Sequence, residues 1–160
     1  MLSIRTASLE DVPLLLEMIL EFATFEKLRE EVKITEAMLA RDGFGAHPRF
    51  RTLIAEWNRA AAGYAICFPI YSTFQGPALF LEDVYVRPQF RDKGIGKAMV
   101  GEVAAMALQE GCGALRWEVL AWNQAAIDFY KRLGAIFLDD WKAVRIEGEA
   151  LRRLAEQSKT

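Results

Sequence analysis

Metal and disulfide chemistry have little to work with in this chain: its 160 residues hold two cysteines and one histidine. Cys67 and Cys112 lie far apart without CxxC spacing, and His47 stands alone, so no metal site is expected. Unpaired cysteines are at home in a reducing compartment, and a cytoplasmic protein is expected. Long apolar runs are missing as well. No stretch approaches the ~18 apolar residues of a membrane span, and MLSIRTASLED has no signal-like apolar run. Charge of one sign is also scarce, with 20 basic residues against 22 acidic ones. That balance excludes a general nucleic-acid binder or a basic membrane-surface protein. Repeats, low-complexity tracts and linkers are absent. What the chain does have is a 52% hydrophobic content, enough to build a core without cross-links. The length predicts one domain over residues 1–160.

The pattern alternates between the two regular periods. Leu2 to Thr6 reads as a first strand. Ser8, with Asp11 three residues on, reads as a capping pair before Val12, Leu15, Leu16, Ile19 and Phe22 at helical spacing. Thr35 is an N-cap for a short helix ending at Gly43. RTLIAEW and GYAICF read as strands around a turn at Asn58 to Ala62, and Ala78 to Val86 is another strand stopped by Pro88. A helix is predicted from Gly94 to about Glu110, a strand over Ala114 to Leu120, and a helix from Asn123 to Gly134. Further strands follow at Ala135 to Leu138 and Ala143 to Ile146, then a closing helix from Glu149 to Gln157. This order makes an α/β protein with a mixed, mostly antiparallel sheet flanked by helices.

The most informative stretch is EDVYVRPQFRDKGIGKAM, Glu82 to Met99. A strand enters a turn, Arg91 to Gly96, that opens a long helix. Glycines let a backbone approach a ligand, and free N–H groups at a helix start favour an anion. Arg91, Lys93 and Lys97 add positive charge, so a pyrophosphate suits the turn. A P-loop is excluded because Arg91 and Ala98 occupy positions that need Gly and Ser or Thr. A dinucleotide fingerprint is excluded because Met99 stands where its third Gly belongs. A glycine turn that merely caps a helix is the plainer alternative.

RDKGIG fits the R/Q-x-x-G-x-G/A signature of the GNAT acetyltransferases, and Trp122 to Gly134 (WNQAAIDFYKRLG) resembles that family's second cofactor motif. Across the chain, Asp42-Gly-Phe-Gly45, His47-Pro48, Phe80-Leu-Glu-Asp83, Ala121-Trp-Asn123 and Phe129-Tyr-Lys-Arg132 resemble the diamine (spermidine/spermine) N1-acetyltransferases and their thialysine-acetylating relatives. The resemblance implies the acyl-CoA N-acyltransferase fold, a homodimer, and acetyl transfer from acetyl-CoA to a primary amine. It places the pantetheine arm along Val84, Tyr85 and Val86. It places the pyrophosphate on the turn formed by Arg91, Asp92, Lys93, Gly94, Ile95, Gly96 and Lys97. Asn123 is implied as a cofactor contact and Tyr130 as the general acid, itself at the cofactor. Glu82 is implied beside the amine. Phe25, Glu26, Asp83, Asp140 and Trp141, with Asp139, fall where the family binds the rest of the acceptor. Two stretches depart: the polyamine enzymes' Asp-Pro-Trp is Ser72-Thr73-Phe74 here, which removes an acid and a tryptophan, and the loop before Trp141 is shorter.

These residue types match the chemistry. A primary alkylamine has a pKa of about 10 and arrives protonated, so Glu82, directly or through a water, is the candidate base. A backbone N–H near Tyr85 would meet the oxyanion. The leaving thiolate, with a pKa of about 8.5 like Cys, would take a proton from Tyr130. Small diamines and thialysine-like amino acids rank close together as acceptors, with the diamine slightly ahead on motif count. A protein lysine or N-terminal acetyltransferase and a non-catalytic acetyl-CoA-binding module are the alternatives. Phe25, Phe74 and Trp141 suggest an aromatic-lined pocket for a small molecule rather than an open groove for a peptide.

Overall fold

The structure, a computed structural model, describes residues 1–158. They fall into two compact units, Met1–Asn123 and a second that begins at Gln124.

The first unit is built on a five-stranded sheet in the order β1-β2-β3-β4-β5, with β1 Leu2–Thr6, β2 Arg51–Trp57, β3 Ala60–Ser72, β4 Gly76–Val86 and β5 Ala114–Arg116. The first four strands are antiparallel neighbours; only β4 and β5 run parallel, joined through α3, Ile95–Gln109. A parallel pair needs such a crossover, whereas antiparallel neighbours can be joined by tight turns. The β2–β3 turn is tighter than the sequence predicts. Asn58 and Arg59 alone make it, both at positive φ (52° and 68°), as a two-residue hairpin with the right twist demands.

Helix α1, Val12–Phe25, and helix α2, Glu36–Phe44, belong to one layer, and α3 packs on β2, β3, β4 and β5. Leu15, Met18 and Leu39 meet Ile54, Tyr64, Ile66 and Tyr85 in one buried cluster. Ile95, Met99, Val103 and Ala107 are the buried stripe of α3, at the spacing of a helix face. The expected caps form: Asp11 accepts from the Ser8 N–H at 2.7 Å, and Thr35 Oγ1 accepts from the Met38 N–H at 3.2 Å. Asp11 is also gripped by the two terminal guanidinium nitrogens of Arg5.

The second unit holds α4, Gln124–Arg132, and α5, Gly148–Gln157. Gly134, at φ 87°, ends α4, and the Ala135 N–H returns to the Tyr130 carbonyl. Three expectations fail here and at the unit's border. Residues 117–120 do not extend β5, and neither Ala135 to Leu138 nor Ala143 to Ile146 forms a strand. Alternation tells which residues would share a face, but a strand also needs a ladder partner. The described sheet stops at β5, and Ile136, Val144 and Ile146 remain exposed.

Candidate active site

One irregularity in β4 organises the acids. Opposite β3, Phe80 faces Phe68 and Leu81 faces Cys67, but Asp83 then faces Ile66, so Glu82 has no partner. This is a β-bulge, one extra residue on one strand. Strand residues normally alternate faces, which would put Asp83 with Leu81 on the face of α3. The bulge absorbs one position and brings Asp83 and Tyr85 to the face of Ile66 and Tyr64 instead, the face that α1 covers.

The result is a group of acids with little to neutralise it. Burial pushes the Asp83 carboxyl up to about 7; Tyr64, by hydrogen bonding, pulls it down, while Glu82 and Glu26 push it further up. Glu82 keeps accessible surface, yet its carboxyl is crowded enough that burial raises its pKa, with Glu118 adding repulsion. Glu26, at the end of α1, is raised by burial alone. Raised carboxyls hold protons closer to neutral pH, which suits a base that must take a proton and give it up. The structure thus groups three of the residues singled out by sequence, Glu26, Glu82 and Asp83, around one point.

The same strand provides a second feature. The β4–β5 ladder covers only Ala78, Leu79 and Phe80 against Ala114, Leu115 and Arg116. Beyond it, Glu82, Asp83, Val84, Tyr85 and Val86 have no ladder neighbour on that side among the described residues. Backbone N–H and C=O groups there are available to an extended, amide-containing chain.

After β4 a 3-10 turn, Pro88–Phe90, leads to the glycine turn. Asp92 (φ 61°) and Gly94 (φ 77°) both adopt the left-handed conformation. A Cβ on Gly94 would meet nothing within 4 Å, so the glycine serves the turn's conformation rather than a close approach. Arg91 to Gly94 are exposed, and no side chain caps the start of α3. Its first N–H groups are left for an anion, and the helix dipole adds to the attraction. The residues present therefore fit a phosphate-bearing, amide-rich co-substrate. The cations are arranged differently from the sequence expectation. Arg91 donates to the Val86 carbonyl at 3.1 Å and lies over the Phe25 ring at 4.8 Å, while Lys93 lies 5.7 Å from the Trp57 ring. Both stack on aromatics; Lys97 is exposed on the first turn of α3.

Phe25 also touches Trp122, ring centroids 6.1 Å apart. Asn123 immediately precedes α4, its N–H bonded to the Leu120 carbonyl at 2.9 Å. In the second unit, Tyr130 is 7% exposed on α4, tilted against Phe129. Asp139, Asp140 and Trp141 lie in the α4–α5 connection, all exposed, Trp141 by 72%. Phe74 stands 93% exposed at the β3–β4 tip. The hairpin runs past the ends of β2 and β5 and carries it outward. The aromatic-lined pocket is thus not formed by Phe74.

Two contributors escaped the sequence reading. Tyr64 donates to Asp83 Oδ2 at 3.0 Å, and Arg87 clamps Glu21 and Glu17 of α1 at the end of β4. Tyr64 falls within the GYAICF strand, but nothing in the sequence pairs it with an acid 19 residues on. Among the described residues no group of His, Cys, Asp and Glu is poised to hold a metal, and no helix is long and apolar enough to cross a membrane.

Residues 13–135 match the acetyltransferase (GNAT) family. The chain is 44% identical to a thialysine N-epsilon-acetyltransferase of Sus scrofa, covering 95% of this chain and 96% of that protein. It is 35% identical to the human spermidine/spermine N(1)-acetyltransferase-like protein 1 over 95% of its own length and 23% of that larger protein. In fold it is similar to an integron cassette protein from the mobile metagenome of V. cholerae. The TM-score is 0.80 at 22% identity, over 97% of this chain and 98% of that one. It is also similar to a soil-metagenome aminoglycoside acetyltransferase, with TM-score 0.73 at 16% identity, over 92% and 95% of the two chains.

Proposed function

This chain belongs to the acetyltransferase (GNAT) family, and we propose that it transfers the acetyl group of acetyl-CoA to the primary amine of a small, cationic molecule. The observation that carries this is the likeness to thialysine N-epsilon-acetyltransferase, 44% identity over nearly the full length of both chains. The lower identity to the spermidine/spermine relative, together with Ser72-Thr73-Phe74, reverses the order suggested by motif count. A thialysine-like amino acid now leads, with short diamines second.

In this reading the open edge of β4 at Val84, Tyr85 and Val86 holds the amide-rich arm of the co-substrate, and Asn123 adds a contact. Arg91 to Lys97 hold the pyrophosphate through the N–H groups at the start of α3. Glu26 and Asp83 attract the ammonium, with Phe25 beside them. Glu82 takes the amine proton, directly or through one water, and the freed nitrogen attacks the thioester carbonyl. The C–N bond forms, the adduct nitrogen gives its second proton to solvent, the C–S bond breaks, and the thiolate takes a proton from Tyr130, which solvent restores. No covalent link to the protein is needed. Asp140 and Trp141 are assigned to the far end of the acceptor. The family match, residues 13–135, extends from the first compact unit into the start of the second, which supports reading the chain as one domain. Two buried, unpaired cysteines support a cytoplasmic setting.

Thiol release from acetyl-CoA, measured with thialysine, lysine, spermidine, a short diamine and an N-terminal peptide, tests the reading. The highest kcat/KM is expected for thialysine or a diamine. A peptide ahead by tenfold or more, about 1.4 kcal/mol of transition-state binding, would overturn it.

A further inference from the structure

We propose that Tyr64 is a positioning residue for transfer to a cationic amine: its buried hydroxyl orients the Asp83 carboxylate and keeps it an acceptor for the amine's N–H groups. This rests on the reading of Asp83 as part of the amine side of the site.

Tyr64 is 0% exposed, at the middle of β3 and directly opposite Tyr85. A phenol has one proton to donate. Tyr64 commits it to Asp83 Oδ2 at 3.0 Å, on the neighbouring strand two residues from its own partner Tyr85. A phenylalanine would fill the same apolar slot between Tyr85 and the α1 side chains, so packing alone does not account for the hydroxyl. The neighbouring tyrosine makes the contrast clear. Tyr85, ring centroid 6.1 Å away, donates to Glu21 Oε2 at 3.2 Å, an acid already neutralised by Arg87. Asp83 has no such cation: among the described residues it forms no ion pair. The titratable groups that face it are Tyr64 from β3, Glu82 on its own strand and Glu26 from the end of α1. Two of these are acids that oppose its charge.

Of these groups the Tyr64 hydroxyl alone favours ionised Asp83, against burial and two like charges. With burial holding Asp83 near 7, a modest change at this point decides its charge at neutral pH. A protonated carboxyl has lost its charge attraction for an ammonium. Loss of the hydroxyl should thus weaken amine capture at neutral pH and be forgiven in base, once Asp83 ionises unaided.

Tyr64→Phe tests this. Hydrogen bonds to charged groups are strong enough to move a pKa by about one unit. The acidic limb of kcat/KM for the amine is expected to shift upward by about one pH unit. At pH 7 the amine KM should rise roughly fivefold, with kcat at saturation changed by less than about twofold, and the difference should fade by about pH 9. In an Asp83→Asn background the same substitution should move neither limb nor KM further. Carbon-13 NMR of the Asp83 carboxyl should show the same upward shift between parent and variant. An active Tyr64→Phe enzyme with an unmoved limb would overturn the proposal. So would a parent Asp83 that titrates at its ordinary value near 3.8, a measurement that needs no variant to fold. If the parent acetylates no small amine, the proposed function fails, while the NMR titration still reads the Tyr64–Asp83 pair.

Discussion

Asp83 is held at a cost. Its carboxyl is pushed up to about 7 from an ordinary 3.8, so between those values the folded chain keeps a proton that the unfolded chain has lost. Stability must then fall as pH rises through this window, and the whole deficit is present above 7. Asp83→Asn should therefore be more stable than the parent at pH 8, on the order of 1–3 kcal/mol, with the gap closing by about pH 4. Urea unfolding at the two pH values checks this; equal stability at pH 8 would mean the carboxylate is well solvated. The same variant should lose amine affinity, the usual exchange of stability against a strained functional group. Asp11 behaves oppositely. Arg5 holds its carboxyl well below the usual range, so its contribution is present near neutral pH and fades in acid.

Among the elements, the β3–β4 pair is where the site is made, and it is tightly fitted. A Cβ on Gly63 would lie 2.2 Å from the Tyr85 carbonyl oxygen and 3.1 Å from the Val86 Cα. Both are backbone atoms that cannot swing aside. Gly63→Ala must spread the strands at the residues assigned to the co-substrate arm. A loss of about 1–3 kcal/mol is expected, together with weaker acetyl-CoA binding by calorimetry. Unchanged stability would show that β4 can slide there. Much of this element level was legible beforehand: the caps at Ser8 and Thr35, the helix behind Gly94, and the strands on either side of Asn58. What was not legible is informative. The bulge at Glu82 leaves no mark in composition, because the alternation of ALFLEDVYV is consistent with a straight strand. The Tyr64–Asp83 bond depends on the phase that this bulge sets. The strands expected at 135–138 and 143–146 rest on local residue pattern, which is silent on partners. Glu82, Glu26 and Asp83 were named from resemblance, and only the register explains why they share a point.

At the scale of the whole molecule, exposed apolar residues remain to be explained. Ile136, Trp141, Val144 and Ile146 in the second unit are exposed. A second copy of the chain is the expected cover, in keeping with the dimer that the resemblance implies. Sedimentation at micromolar concentration should give a species of twice the 18.1 kDa chain mass. A mass of one chain would contradict it.

The bulge also has a genetic reading. Glu82 is the extra residue of the β3–β4 ladder, the one without an opposite number. A three-base deletion of its codon would leave Leu81 opposite Cys67 and Asp83 opposite Ile66, every later side chain still in phase. Loss of any one codon between Val84 and Val86 would instead turn part of the strand inside out. The proposed base is thus a position of β4 whose loss keeps the cross-strand pairing in register while removing the local bend that a bulge imposes, so that abandoning this chemistry is one mutational step.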